Sequence, residues 1–428
     1  MITLPSLMIE HAHAVGRIRH LLRNGEKVEI VGQREISISP RISQPLFQLS
    51  NGEQIVVTTR RKIVRPANVD GVLQSLPDGG YRWSSHRLID EFFEIANRDG
   101  WSCVAQNIAA SWIGQFSFRA EIKQPDGSVL CGQEGLRPPQ LGALHAIGAH
   151  WSLDHQPATV VMPTGTGKTE TMLATLAAYG RTPLLVIVPW DLLRTQTAEK
   201  FFAFGLLRKL KVLPPEVSNP IVGVVTKRLR NTDDLSILDS CNVIIATASA
   251  IGIGTEDSLI TEIAMRCGAL ILDEAHHVPA KNWSRVKDAF SSVHTLQFTA
   301  TPFRRDGQVV DGKVIFHYPL GAAQRDGYFK PIQFKPVHEV RGTVRADQAI
   351  AEMAVKCLRD DLDANFDHLL MARCESIGHA VAVEQIYRAI APDLNPVLIH
   401  SKQDDASEYV TALRSGRAKI AMQLHIPT

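Results

Sequence analysis

Between residues 159 and 300 the sequence carries six short apolar runs: TVVM, LLVIVP, IVGVVT, NVIIAT, ALILD and TLQFTA. Most do not alternate apolar with polar residues, so as a set they predict strands buried on both faces. Helical stretches lie between them. That rhythm predicts a parallel sheet with helices on both faces over residues 136–330. In such sheets ligands bind at the carboxyl ends of the strands. The residues that follow each run are therefore the candidates for chemistry.

Two further zones flank this one. Residues 1–135 predict a smaller, mixed α+β accessory region. EKVEIVG, QPLFQLSNGEQIVVTTRRKIV and FSFRAEIKQPDGSVL read as strands and hairpins, with Asn51-Gly52 and Asp126-Gly127 as turns. SSHRLIDEFFEIANRDG reads as a helix capped by a serine and ended near Gly100. Residues 1–70 hold ten Lys/Arg against six Asp/Glu. The basic run TTRRKIVRP reads as a solvated strand edge or as a contact to a DNA backbone. Residues 331–428 restart the α/β rhythm with FDHLLMARC as a strand, SIGHAVAVEQIYRAIA as a helix and PVLIHS as a second strand, a partial second domain of the same kind.

The run TVVM leads into PTGTGKT, Pro163 to Thr169, and then into a helix-forming stretch. Gly165 and Gly167 let the backbone turn tightly enough for successive N–H groups, with those of Thr164 and Thr166, to face an anion. Lys168 supplies positive charge for the β- and γ-phosphates, and the Thr169 hydroxyl is a ligand for magnesium. The strict phosphate-loop pattern would place glycine where this chain has Met162. The order of strand, loop and helix still predicts a nucleotide site.

The run ALILD ends in a pair of acids within GALILDEAHH. Asp273 is placed to hold the magnesium, and Glu274 to orient or deprotonate an attacking water. An Asp-Glu pair also begins many helices, but together with Lys168 it predicts the second half of an ATP site.

Several motifs in a fixed order now resemble a known family. PTGTGKT, DEAH at Asp273–His276 and FTATPFR resemble the superfamily 2 helicases and translocases of DEAD/DEAH-box kind. The resemblance is good over about residues 136–330 and weak over 331–415. It implies a RecA-like fold for both α/β zones, with ATP and Mg2+ as cofactors. LRPPQ resembles the adenine-reading motif, with Gln140 on the base edge and Arg137 beside it. VPWDLLRTQ and VIIATAS resemble two nucleic-acid contact motifs, which implies polymer contacts at Pro189, Gln196 and Thr247. Gln196 also reads as a plain surface helix residue, and Thr247 as a plain strand end. Thr299 and Thr301 of TAT resemble the motif that couples nucleotide state to domain closure, and His276 is assigned to the same coupling. PFRRDG and HYPLGAAQRDGYFKP are more similar to restriction-enzyme motor subunits and repair translocases than to RNA helicases. The resemblance therefore implies a DNA motor, with a nuclease, methylase or other defence-complex subunit as a partner.

The family's arginine-bearing motif, whose arginine finger adds ~10³–10⁵ in rate in related sites, has no counterpart after GRAKI. A truncated second domain is the expectation. An ATP-dependent nucleic-acid clamp or docking subunit without motor activity stands as the alternative.

Composition sets the remaining bounds. The 428 residues predict two or three domains, and a net charge of +2 neither demands nor excludes a nucleic-acid partner. No apolar run reaches the ~20 residues that span a bilayer. The six cysteines are scattered without a CxxC pair, which argues against a zinc site or disulfide framework and predicts a cytoplasmic protein. His277, Cys241 and Cys267 read as structural.

Overall fold

A computed structural model describes residues 1–39, 42–61, 63–124, 126–251, 257–275, 280–301, 312–340, 342–399 and 406–424. Two compact units are present, Met1–Lys330 and Pro331–Thr428.

The first unit opens with strands β1 (Ile2–Leu4), β2 (Leu7–His13), β3 (Gly16–Arg23) and β4 (Glu26–Val28). Then come β5 (Ile30–Ser39), β6 (Ile42–Leu49), β7 (Gln54–Thr58), β8 (Gly71–Ser75) and β9 (Tyr81–His86). Helices α1 (Arg87–Asp99) and α2 (Trp101–Ala110) follow. Strands β5 to β9 make a five-stranded sheet in chain order, and β1 pairs with β4.

From α3 (Pro138–Leu153) onward, helices and strands alternate: β10 (Ala158–Val161), α4 (Lys168–Tyr179), β11 (Leu184–Val188), α5 (Asp191–Phe202) and β12 (Ile221–Val225). The short α6 (Ser236–Asp239) precedes β13 (Val243–Thr247), α7 (Asp257–Arg266), β14 (Ala269–Asp273), α8 (Ala280–Ala289) and β15 (His294–Thr299). β16 (Lys313–His317) and α9 (Leu320–Arg325) complete the unit.

All six apolar runs are strands, and β10, β11 and β13 are buried at every position. Each fully buried Val, Leu or Ile contributes about 1.5–3 kcal/mol. The sheet they build has nine strands in the order β16-β10-β15-β14-β11-β13-β12-β3-β2. The seven from β16 to β12 are parallel. This is the α/β architecture expected from the sequence, a mostly parallel sheet whose strands alternate with helices.

Three differences from the sequence reading concern the first 135 residues. The hairpin β2–β3 is not separate from the sheet: β3 pairs antiparallel with β12, from Ile221↔His20 to Val225↔Gly16. An unpaired β12 would leave a row of bare N–H and C=O groups, and the hairpin covers them. Gly16 permits the approach, since a Cβ there would lie 2.0 Å from the carbonyl oxygen of Val224. Ile9, Val15, Ile18 and Leu21 of the hairpin, and Phe92, Val104 and Ile108 of α1 and α2, share one core with β10–β15. The segment FSFRAEIKQPDGSVL makes only isolated bridges, Ala120↔Leu136 and Lys123↔Val129. Its polar turn holds itself locally, with Asp126 accepting from Ser128. The cap of α1 is His86, whose Nδ1 accepts from the Leu88 N–H, and not a serine. The helix ends at Gly100 as expected, with φ at 86°.

The second unit holds α10 (Val344–Asp363), β17 (Leu370–Cys374), α11 (Ile377–Ile390), β18 (Val397–Ile399), α12 (Ala406–Arg414) and β19 (Ile420–Leu424). Its three strands are parallel in the order β17-β19-β18, around a core that includes Val355, Leu358, Cys374, Tyr387, Ile420 and Met422. Among the described residues no helix is long and apolar enough to cross a membrane.

An ion cluster joins the five-stranded sheet to the large one. Arg23, at the end of β3, donates to Glu53 at 2.7 Å, and His86 Nε2 lies 3.4 Å from the same carboxylate. Trp83 donates its indole N–H to the Pro5 carbonyl at 2.8 Å. Burial pushes the Glu53 carboxyl up, but the bonds from His86 and Arg23 outweigh it and hold the group at about 2. A depressed carboxyl stabilises the fold above its ordinary value of 4.5, and loses that contribution as pH falls toward 2. Glu53→Gln should therefore cost about 1–3 kcal/mol at neutral pH. In urea unfolding, the gap between wild type and variant should close as pH drops from 4.5 toward 2. A gap that does not change with pH would remove this cluster as an acid-sensitive joint.

Candidate functional site

The phosphate loop starts where β10 ends. Gly165 and Gly167 have φ of 84° and 97°, values that side-chain-bearing residues rarely adopt. Gly167 caps α4, and its carbonyl collects three donors: the Thr171 N–H and hydroxyl, each at 3.0 Å, and Gln140 Nε2 at 3.1 Å. The first N–H groups of α4, on Lys168 and Thr169, have no carbonyl of their own helix to bond. A helix start of this kind attracts anions. Thr166 is buried and donates its hydroxyl to Pro163 at 2.6 Å, which pins the loop from beneath. Thr164 and Gly165 are exposed at its mouth.

The start of α3 braces the loop from the side. Pro138 and Pro139 set the first helical turn, where their missing N–H groups cost nothing. Gln140 sits third in that turn and accepts from the Arg137 N–H at 2.9 Å while donating to Gly167. Arg137 Nη1 donates to the Gly165 carbonyl at 2.9 Å. The pair assigned to adenine recognition thus holds the phosphate loop directly, and Gln140 is almost fully buried.

Strands β15 and β14 lie next to β10, in that order. Asp273 ends β14, and its Oδ1 accepts from the Glu274 N–H at 3.0 Å. Glu274 has φ of 49°, a left-handed conformation that costs about 1–3 kcal/mol and concentrates at functional sites. It places the Glu274 Oε1 2.5 Å from Lys168 Nζ. Burial pushes the Asp273 carboxyl up to about 6, and the charge of Glu274 adds to this while Lys168 opposes it. An acid pair short of positive charge, facing a threonine hydroxyl at a helix start, is a donor set that fits a divalent cation.

Lys168, Thr169, Asp273 and Glu274 share one cavity of ≈ 470 Å³ with Arg137, Gln140, Thr164, Gly165 and Gly167. Four further residues matter that the sequence reading passed over. Glu121 lines the cavity and accepts from the Tyr328 hydroxyl at 2.8 Å. Arg137 lies 5.0 Å over the Tyr328 ring. Glu170 and Lys200, also in the lining, pair at 3.1 Å. Glu170 directly follows GKT and was open to notice. Tyr328 comes from a distant segment and carries no local signal.

Thr299 ends β15, and its carbonyl accepts from the Met162 N–H at 3.0 Å, so the TAT turn is bonded to the strand that feeds the phosphate loop. Its hydroxyl donates to the Thr301 carbonyl at 2.6 Å. His276 lies outside the described residues. The expected polymer contacts fall on the adjoining strands: Pro189 follows β11, Thr247 ends β13, and Val188 and Thr247 are register partners. Thr247 is buried with its hydroxyl 3.1 Å from that of Ser249, the exposed member of the pair. Gln196 is exposed on α5, opposite the face that buries Phe201 and Phe202.

The glycine-rich loop after β10 and the acid pair after β14, one strand apart, meet at one edge of the α/β sheet. Residues 133–304 match the family described as "Type III restriction enzyme, res subunit". The DNA 3'-5' translocase XPB2 of Sulfurisphaera tokodaii is 28% identical over 152 residues. That match takes in 35% of this chain and spans 28% of the relative's length. Two solved structures are similar at low identity. A fragment described as an HsdR-type subunit of a type I restriction enzyme from Vibrio vulnificus is 15% identical, with a TM-score of 0.46 over 98% of this chain and 78% of that one. The Mycobacterium smegmatis helicase Lhr, solved with ssDNA and AMP-PNP, is 16% identical, with a TM-score of 0.41 over 67% of this chain and 39% of that one. Over these residues the chain is similar to that restriction-enzyme family and to a DNA translocase, in line with the resemblance its motifs show to the superfamily 2 helicases and translocases.

The loop geometry makes one substitution diagnostic. A Cβ on Gly167 would lie 2.1 Å from Gln140 Nε2, in a backbone conformation unfavourable to alanine. At about 1–3 kcal/mol of strain, Gly167→Ala should weaken ATP binding by about tenfold or more, while lowering the melting temperature by only a few degrees. Wild-type affinity in a fluorescent-nucleotide titration would show that the loop does not hold the phosphates.

Proposed function

We propose that this chain is an ATP-dependent DNA motor, a helicase or translocase that hydrolyses ATP at the cavity between the phosphate loop and the acid pair. The observation that carries the reading is the Lys168–Glu274 contact at 2.5 Å, which ties the loop to the acids across the carboxyl ends of β10 and β14. Lys168 is the cation for the β- and γ-phosphates, and the free N–H groups at the start of α4 join it. A divalent cation held by Thr169 and Asp273 would offset the charge that develops on the phosphates during transfer. Arg137 and Gln140 hold the loop and border the adenine side.

Glu274 is the general base. When Lys168 turns from its carboxylate to the nucleotide, Glu274 is released to orient a water and take its proton as the water oxygen bonds to the γ-phosphorus. The bond to the leaving ADP oxygen breaks, giving ADP and inorganic phosphate. Loss of the γ-phosphate is felt at the end of β10, whose Met162 N–H bonds Thr299, so Thr299 and Thr301 are the coupling residues. Pro189, Gln196 and the Thr247–Ser249 turn hold the polymer. DNA is favoured by the similarity to a DNA translocase. The restriction-type family match supports a nuclease or methylase subunit as partner.

Glu274→Gln should keep ATP binding and lose about 10²–10⁴ of the turnover rate, whereas Lys168→Ala should lose binding as well. Phosphate release with no polymer, single-stranded DNA, duplex DNA or RNA checks both variants. Unchanged turnover in Glu274→Gln would remove the assigned base, and stimulation by RNA alone would overturn the choice of DNA.

A further inference from the structure

The β12 end of the polymer-facing edge carries a basic loop for which the motif reading gives no role. β12 is parallel to β13 and one strand farther out, so the loop after Val225 emerges beside the Thr247–Ala250 turn. It reads TKRLRNTDDL, and Lys227, Arg228 and Arg230 are all exposed.

This loop is held on both sides. Toward the sheet, the Leu229 N–H donates to the Ala250 carbonyl at 2.8 Å, which fixes it to the turn that begins at Thr247. Toward the N-terminus, the N–H groups of Thr226 and Lys227 both donate to the Val15 carbonyl at 3.0 Å. Lys227 Nζ donates to the Ala14 carbonyl at 3.2 Å, and His13 Nε2 lies 3.0 Å from the Ser236 hydroxyl just beyond the loop. The β2–β3 turn, His13 to Gly16, is thus the outer support of the loop. Gly16 sets the closeness of that support, because a Cβ there would run into Val224.

The charges of the loop are not spent internally. Among the described residues Lys227, Arg228 and Arg230 make no ion pair, and the partner of Lys227 is a neutral carbonyl. Of the two acids in the loop, Asp234 is occupied by the backbone, accepting from the Arg230 N–H at 2.8 Å. The local excess of basic over acidic groups is only one, so affinity alone does not define a partner. Placement does. Neighbouring strands are about 4.8 Å apart, and a DNA strand carries one phosphate per about 3.4 Å of axis. The step from the Thr247 turn to this loop therefore matches the spacing of one to two phosphates.

We infer that Lys227, Arg228 and Arg230 extend the polymer track past the Thr247 turn as a phosphate-binding loop, and that the N-terminal β2–β3 hairpin is its positioning element. The inference rests on the reading of this chain as a nucleic-acid motor, and it assigns a task to the first residues of the accessory region.

The test is the salt dependence of polymer binding by the full chain, measured by fluorescence anisotropy with labelled single-stranded and duplex oligonucleotides of several sequences. For the triple variant Lys227→Ala, Arg228→Ala, Arg230→Ala, the log–log slope should fall by about 2–3, near 0.7 per contact on single strands and 0.9 on duplex. The loss should be equal across sequences, with melting temperature and ATP affinity unchanged. Gly16→Ala keeps every charge and should lower the slope by displacing the loop. A wild-type slope in the triple variant, with polymer still bound, would overturn this inference and leave the motor reading standing. A wild-type slope in Gly16→Ala, with the triple variant impaired, would overturn the part assigned to the hairpin. Polymer binding by neither wild type nor variant at any salt would overturn both.

Discussion

The parallel ladder from β16 to β12 is the constraint on which the first unit depends. Because the seven strands run the same way, their carboxyl ends fall on one edge. The register then decides what meets there. Asp273 pairs with Phe298, and Val161 with Thr299, so the phosphate loop, the TAT turn and the acid pair are consecutive along that edge. Val188 pairs with Thr247, which sets side by side the turns that follow the next two strands. A one-residue slip would turn every side chain of a strand to the opposite face. Burial on both faces leaves no such slip without exposing Val or Ile or burying a charge.

Hydrophobic burial makes the edge possible, but polar contacts give the site its shape. The carbonyl of Gly167 satisfies three donors, and only glycine fits its backbone conformation. The strained backbone of Glu274 would be unfavourable alone. It persists because β14 is fixed on both sides and the Asp273 carboxylate accepts the strained residue's N–H. Rigid strands that end in a constrained residue place an acid more closely than a mobile loop does.

The parallel core was legible because its signal is local. Each apolar run announces a strand, and PTGTGKT and ALILDE name their own chemistry. The order of the strands was not legible, since crossovers are chosen by packing and not by any one segment. The β2–β3 hairpin escaped for the same reason. Its partner β12 lies some 200 residues away, and its sequence, MIEHAHAVGRIRHLL, shows only an irregular alternation. His86 was missed as the cap of α1 because Ser84 and Ser85 precede it and are commoner caps, while the imidazole is committed by its place beside Glu53 and Trp83. Gln140 was identified as a site residue, but its brace on Gly167 depends on a contact across 27 positions that no motif spacing prints.

The Lys168–Glu274 ion pair at the centre of the site bears on how it would work. Lys168 and Glu274 satisfy one another, with both side chains largely shielded from water. A desolvated ammonium without a partner would be costly. Glu274 removes that cost until a phosphate arrives, and the phosphate then replaces one charge-assisted bond with another. In the proposed reaction the exchange has a second consequence. The carboxylate that Lys168 leaves stands beside Asp273, whose own carboxyl is already pushed up by burial and by that neighbour. Two adjacent acids without the lysine repel, and a bound cation relieves this. Nucleotide and cation thus each remove the electrostatic penalty the other would meet, so their binding should be mutually reinforcing. The residue that gates this exchange is the same Glu274 whose backbone strain holds it within reach of Lys168.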